Sequence, residues 1–218
     1  MKFKLFSEFE ISDPIVVIEA FCYQSNFYKK FDLLENRKIK DVNKIGARIN
    51  SKILPKCKRI IDSAGNLPIY DFNINDFLKL PEETREGYIQ ELYERVIAKL
   101  INKKKIKGIG FSKATKLLHT LHPKIIPMID NPLKMKYQRE KKPSGSKSKP
   151  AQILIDYYKA LKTEPTWGNL NQLYGTLKDN KVKELSIIRI FDILWWSYLK
   201  AEALSRKENI HWQSIKWE

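Results

Sequence analysis

The sequence predicts an all-α, compact helical fold of one or two packed lobes. Apolar residues recur at helical spacing through most of the 218 residues. Proline and capping residues stand where helices would begin. At 43 % hydrophobic, the chain also carries enough apolar side chains to bury a full core. We therefore predict a single helical unit over residues 1–218, with one extended piece near residues 2–6 and a central helix-hairpin-helix motif.

The first two predicted helical segments follow from capping residues and prolines. Ser12 is the predicted N-cap of a helix that has Asp13 and Pro14 in its first turn and ends near residue 30. Residues 41–62 are predicted to form one helix or two, with Pro55 as the break because proline disrupts a helix interior.

A long helix is predicted from Pro81 to about residue 104, after a loop at 64–68. Its apolar positions recur at the helical period, which predicts that they face the core: Tyr88, Leu92, Val96 and Leu100.

The C-terminal half is predicted to begin with a glycine turn and a helix over residues 111–121, ended by His122 and Pro123. Residues 138–150 are rich in Lys, Ser, Gly and Pro, which predicts a mobile basic loop that becomes ordered on DNA. Further helices are predicted at 151–161, 170–177 and 184–205, the last with Trp195 in the core.

Most of the positive charge is concentrated in one quarter of the chain. Residues 99–149 hold fifteen Lys or Arg against two acids, so this stretch carries +13 of the net charge of +16. Such a concentration favours a polyanionic partner, and double-stranded DNA is the predicted one. The alternative is an ordinary solvated surface.

Other partner and cofactor classes find little support in the sequence. Cys22 and Cys57 lack the spacing of a metal site, so we predict two reduced, buried thiols and no metal. No apolar run is long enough to span a bilayer, and the first eleven residues do not resemble a signal peptide. We therefore expect no membrane partner and a cytoplasmic, nucleoid-associated protein.

A Gly-Ile-Gly turn lies inside the basic stretch, within a predicted helix-hairpin-helix segment at 88–137. Glycines permit a tight turn, and the amides at the start of the following helix can meet a phosphate. Helical spacing predicts a buried face of Ala114, Leu117, Leu118 and Leu121. The predicted DNA-binding residues are Gly108, Ile109, Gly110, Ser112, Lys113, Lys116 and His119.

Over roughly residues 93–135 the chain resembles the helix-hairpin-helix DNA glycosylase superfamily. The resemblance is carried by the run Gly108-Ile109-Gly110-Phe111-Ser112-Lys113-Ala114 and by Pro127-Met128-Ile129-Asp130. It implies that Asp130 is the catalytic carboxylate and that Ser112 occupies the position of the lysine used by bifunctional members. The implied activity is monofunctional: hydrolytic removal of a damaged or mismatched base without lyase chemistry. It also implies that hairpin carbonyls could hold a monovalent cation.

Alternatives remain open for the individual residues and for the protein. Asp130 precedes Asn131 and Pro132, which is also the pattern of a helix N-cap. Trp196, with Arg189 and Asp192 on the same face of the last helix, either lines a pocket for a flipped base or makes a contact between lobes. The protein is then either a glycosylase, a non-catalytic structure-selective DNA-binding protein, or a protein-interaction module with an incidental basic surface.

Overall fold

The computed structural model describes residues 3–5, 9–24, 38–104, 106–130, 133, 150–178 and 185–205. The fold is all-α, as predicted, apart from a small N-terminal ribbon. Strands β1 (Phe3–Leu5) and β2 (Phe9–Ile11) pair antiparallel, with Phe3 opposite Ile11. The extended piece predicted near residues 2–6 contains β1.

The helices in the described residues are α1 (Pro14–Gln24), α2 (Leu54–Ser63), α3 (Ile74–Lys79), α4 (Glu82–Leu92), α5 (Ala98–Leu100), α6 (Phe111–Leu121), α7 (Pro150–Lys162), α8 (Thr166–Lys178) and α9 (Ile187–Ser205). The same part of the chain contains three 3₁₀ segments: Ile39–Ile45, Ser51–Ile53 and Pro68–Asp71. A π-helical segment, Tyr93–Ile97, joins α4 to α5.

Helix α1 begins one residue later than predicted. Its cap is Asp13, whose Oδ1 accepts the Val16 amide hydrogen at 3.2 Å, so the prediction of Ser12 as N-cap was wrong. A carboxylate accepts such a bond as readily as a hydroxyl, and Pro14 then occupies the first helical position. The predicted extension to residue 30 lies outside the described residues beyond Gln24.

The region predicted as one or two helices at 41–62 is two 3₁₀ segments followed by α2. Gly46 ends the first 3₁₀ segment in the left-handed conformation, at φ +70°. Pro55 lies in the first turn of α2 and does not break it. Proline is accommodated there because the amide that it lacks has no helical partner.

Helix α3 was not predicted. The signal for it is Asn73, whose side-chain oxygen accepts the Asp76 amide hydrogen at 3.1 Å and caps the helix. The predicted helix from Pro81 is present as α4, the π segment and α5, but it ends at Leu100. Of its predicted core positions, Leu92, Val96 and Leu100 are buried and Tyr88 is half-buried.

The buried apolar residues form one core that extends from Ile18 to Leu199. Helix α9 packs against α1 and α8, and α8 packs against α7. Helix α7 is tied to α4 by Lys159, whose Nζ lies 2.8 Å from Glu82 and 2.7 Å from Glu86. Trp195 is buried in this core, as predicted. The predicted mobile loop at 138–150 lies outside the described residues, except for Pro150 at the start of α7.

Candidate nucleic-acid interface

Two helical arms meet at a glycine turn. We call the whole unit the hairpin, and it comprises α4 to α5, the connection 101–110, and α6. Gly108 has φ +86°, in the left-handed region where an L side chain is disfavoured. Gly110 is extended and forms the N-cap of α6, and Ile109 between the two glycines is buried. The helix–turn–helix arrangement predicted within residues 88–137 is therefore present over residues 88–121. Residues 105, 131, 132 and 134–137 of the predicted segment lie outside the described residues.

Helix α6 is buried on more sides than its own periodicity predicts. Ala114, Leu117 and Leu118 are buried as predicted, whereas Leu121 is half-buried. The opposite side is covered by residues 122–130, which we call the return segment.

His119 lies beneath the return segment and is 0 % exposed, with Nδ1 2.6 Å from the carbonyl oxygen of Ile126. The prediction that His119 lies on a DNA-facing surface was therefore wrong. Thr115 is covered in the same way, because its hydroxyl accepts the Ile129 amide hydrogen at 3.2 Å. Because the return segment covers His119 and Thr115, neither side chain can contact the phosphate backbone of a nucleic acid.

Asp130 lies beside the first two turns of α6. Its Oδ1 accepts a hydrogen bond from the Ser112 hydroxyl at 3.1 Å and lies 2.7 Å from Lys116 Nζ. The Asp130 side chain is 30 % exposed and that of Lys116 is 13 % exposed, so the ion pair sits at the edge of the interior. Ser112 and Lys116 are one helical turn apart, which lets both reach the same oxygen.

The contacts with Ser112 and Lys116 thus attach Asp130 to α6. The alternative that it caps a following helix involves residues 131 and 132, which lie outside the described residues.

Asp130 and Lys116 line a cleft that is completed by α1 and α9. The cleft is a small depression of about 60 Å³ that opens to solvent, so a ligand would enter directly from the surface. The helical period predicted that Arg189, Asp192 and Trp196 lie together on one helix, and the structure adds Asp130 to them. The residues that line the cleft are Phe21, Lys116, Met128, Asp130, Arg189, Asp192, Ile193 and Trp196.

One wall of the cleft is aromatic and is bordered by cations. The rings of Phe21 and Trp196 meet edge to face, 5.8 Å apart at 78°. The Arg189 guanidinium carbon lies 5.2 Å from the centre of the Phe21 ring, and Lys200 Nζ lies 5.2 Å from that of Trp196. Phe21 was not identified from the sequence, because nothing local connects α1 with α9.

Asp192 fixes the return segment to α9. Its side chain is buried, its Oδ2 accepts the Met128 amide hydrogen at 3.0 Å, and its Oδ1 accepts the Tyr157 hydroxyl at 2.6 Å. Burial raises the pKa of Asp192 to about 7, while Arg189 and the two hydrogen bonds act to lower it. Because Met128 is two residues before Asp130, this carboxyl group also determines where Asp130 lies.

The raised pKa of Asp192 predicts a pH-dependent stability. Between about pH 4 and pH 7 the folded protein keeps a proton that the unfolded chain has lost, so stability from this group declines as pH rises through that window. We expect wild type to lose on the order of 3 kcal/mol relative to Asp192→Asn between pH 5 and pH 8. Urea unfolding of both proteins at several pH values measures the difference, and a constant difference would contradict the prediction.

Several lysines of the hairpin and the return segment are exposed in the described part of the chain. Lys113 is half-buried, and its Nζ donates a hydrogen bond to the carbonyl oxygen of Arg48 at 3.1 Å. The exposed members of the basic stretch that the structure describes are Lys99, Lys103, Lys104, Lys107 and Lys124.

Cysteine burial agrees with the sequence prediction, since Cys22 and Cys57 are both buried and neither is in a disulfide. Within the described ranges, no group of three or more His, Cys, Asp or Glu is placed to hold a metal ion. A monovalent cation at the hairpin carbonyls stays a prediction. None of the helices in the described residues is long and apolar enough to cross a membrane.

No protein-family model, curated protein or solved structure matches this chain.

Proposed function

We propose that this protein binds double-stranded DNA through the hairpin and hydrolyses the N-glycosidic bond of a base placed in the cleft, with Asp130 as the catalytic carboxylate. The observation that carries the proposal is the position of Asp130. Asp130 is partly exposed at the cleft and is held by Ser112 and Lys116. Both residues lie on α6, the helix that begins directly after the glycine turn.

Phosphate binding by the hairpin follows from its backbone. The first amides of any α-helix have no partner within the helix and carry a partial positive charge. In α6 they follow Gly110, and neither Gly108 nor Gly110 has an atom within 4 Å of where a side chain would begin. A DNA phosphate can therefore approach the backbone closely, in a field strengthened by exposed lysines such as Lys103 and Lys107.

Base hydrolysis requires a negative charge beside the deoxyribose as the base leaves. In the proposed reaction the bond from C1′ to the base breaks and its electron pair leaves with the base, which takes a proton from solvent. The Asp130 carboxylate stabilises the positive charge left on the sugar. Water then adds at C1′ and gives up its proton to that carboxylate. Ser112 and Lys116 hold Oδ1, and the ring of Trp196 offers a surface on which an extruded base can stack.

A second candidate is a structure-selective DNA-binding protein without catalysis. It is favoured by the same ion pair, because Lys116 already compensates the charge of Asp130 at 2.7 Å. In that case the pair would serve to attach the return segment to α6, and only the hairpin would meet DNA.

The experiment that tests the proposal is a panel of duplexes, each with one damaged or mismatched base, assayed for binding by fluorescence anisotropy and for excision by alkali-revealed strand cleavage. We expect salt-sensitive binding and excision from at least one duplex. Binding without excision would favour the second candidate. Absence of salt-sensitive binding would contradict both.

A matched pair of glycine variants tests the hairpin itself. Gly108→Ala is expected to weaken DNA binding about tenfold, because an L side chain in the left-handed region costs roughly 1–2 kcal/mol and the turn would shift to relieve it. Gly87→Ala is the control: Gly87 lies exposed in α4 with open space around it, and its replacement leaves the turn unchanged. Equal affinities of the two variants would contradict a role of the turn.

A further inference from the structure

A short loop at 46–50, between the first two 3₁₀ segments, holds its central residue in an unusual conformation. Arg48 has φ +50°. Among the residues that the structure describes, it is the only one other than glycine with a positive φ. Glycine or asparagine is the usual choice for this conformation, and side chains are kept there against strain mostly where they have a function. Arginine at this position therefore calls for an explanation beyond the turn.

The loop is fixed on both sides of Arg48. Asn43 donates its side-chain N–H to the Ile49 carbonyl oxygen at 2.8 Å and accepts the Ile49 amide hydrogen at 2.7 Å. Ala47 and Ile49 are buried, whereas Arg48 between them is exposed. The backbone thus directs the two apolar neighbours inward and presents the arginine on the surface.

This loop lies against the first turn of the hairpin's second helix. Helix α6 packs on the 3₁₀ segment Ile39–Ile45. In addition, Lys113 Nζ donates to the Arg48 carbonyl oxygen at 3.1 Å, from the third residue of α6. Lys113, one of the residues that the sequence predicted to contact DNA, is thus hydrogen-bonded to the backbone of Arg48.

The surface around the loop is positive. Residues 38–52 contain five basic residues and one acid, Asp41. Asp41 is buried and paired with Lys44 at 3.0 Å, so it presents little negative charge to solvent. Lys38, Lys40 and Lys52 are exposed.

We propose that Arg48 is a second contact to the DNA phosphate backbone, beside the hairpin, and that Lys113 positions the loop that carries it. The inference rests on the proposed DNA binding. A guanidinium group can bind a phosphate through two parallel hydrogen bonds, and a rigid loop loses little freedom when that contact forms. Arg48 and the amides at the start of α6 then hold the backbone at separate points.

Arg48→Gly tests this inference, because glycine relieves the strained conformation while removing the contact. We expect a melting temperature equal to or above that of wild type. Duplex affinity should fall several-fold at moderate salt, and the slope of log K against log salt concentration should decrease by about one. Lys162→Gln removes one positive charge from an exposed residue of α7 near Glu82, and should change neither quantity.

The positioning role of Lys113 has its own readout. Lys113→Gln should weaken binding in wild type and add little in the Arg48→Gly background, since both changes remove the same contact. If the two effects simply add, Lys113 acts independently of Arg48 and the positioning role is overturned.

The outcomes separate this inference from the proposed function. Wild-type binding with unchanged affinity and salt slope in Arg48→Gly would overturn the second contact and leave hairpin binding in place. A lower melting temperature of Arg48→Gly would assign the side chain to folding and would also overturn it. Failure of wild type to bind any duplex would instead contradict the proposed function itself.

Discussion

Asp130→Asn is expected to lower base excision at least about a hundredfold while DNA affinity stays equal or rises. Removing a preorganised charge that stabilises a developing charge typically costs about 10²–10³ in rate. Affinity should not fall, because the change removes a negative charge from a basic surface and frees Lys116 from its ion pair. Single-turnover excision and anisotropy titration on the same duplex measure the two quantities.

The control for Asp130→Asn is Asp62→Asn, which removes an exposed carboxylate paired with Lys58 on α2. Its excision rate should equal that of wild type. Ser112→Ala is expected to give an intermediate loss, since Lys116 still holds the same carboxylate oxygen. Undiminished excision by Asp130→Asn would exclude the carboxylate as the catalytic group.

Asp192→Ala is expected to destabilise the protein by about 3–5 kcal/mol at pH 7, because it removes a buried acceptor of two hydrogen bonds. The change leaves the Met128 amide and the Tyr157 hydroxyl without their acceptor in the interior. It also removes the carboxyl group whose charge is offset by Arg189. Urea unfolding followed by circular dichroism gives the free energy of unfolding.

Two comparisons make the Asp192 result specific. Asp62→Ala removes an exposed carboxylate and should change stability by about 0.5 kcal/mol or less. Tyr157→Phe removes one of the two donors to Asp192 and should cost about 1–2 kcal/mol. If Asp192→Ala proved no more destabilising than Asp62→Ala, Asp192 would not be what fixes the return segment.

Local features of the sequence predicted the hairpin well. The conformation of Gly108 and the start of α6 after Gly110 depend on a few neighbouring residues, so the chain reveals them without knowledge of distant contacts. The prediction that Pro55 breaks a helix was wrong. Proline disrupts a helix interior but also fits a first turn, and only the boundary of α2 distinguishes the two positions.

The error at His119 has a different origin. The helical period predicts which side of its own helix a residue occupies. It correctly placed His119 on the side opposite Ala114 and Leu117. Whether that side meets water depends on what else packs against it. Here the return segment covers it, which places His119 in the interior.

The cleft shows the division between sequence and tertiary structure most directly. The helical period placed Arg189, Asp192 and Trp196 near one another, because residues three or four apart share a face. Their meeting with Asp130 depends on the Met128 amide bonding to Asp192, across sixty-four positions of the chain.

By itself, the sequence determined the helical class, the glycine turn and the concentration of positive charge, since these depend on composition and on neighbours within a few residues. Only the tertiary structure decided which faces of α6 are covered, which groups surround Asp130, and that Lys113 bonds to the loop of Arg48. The physical reason is that these contacts join segments far apart in the chain, and burial and packing of the whole core select them.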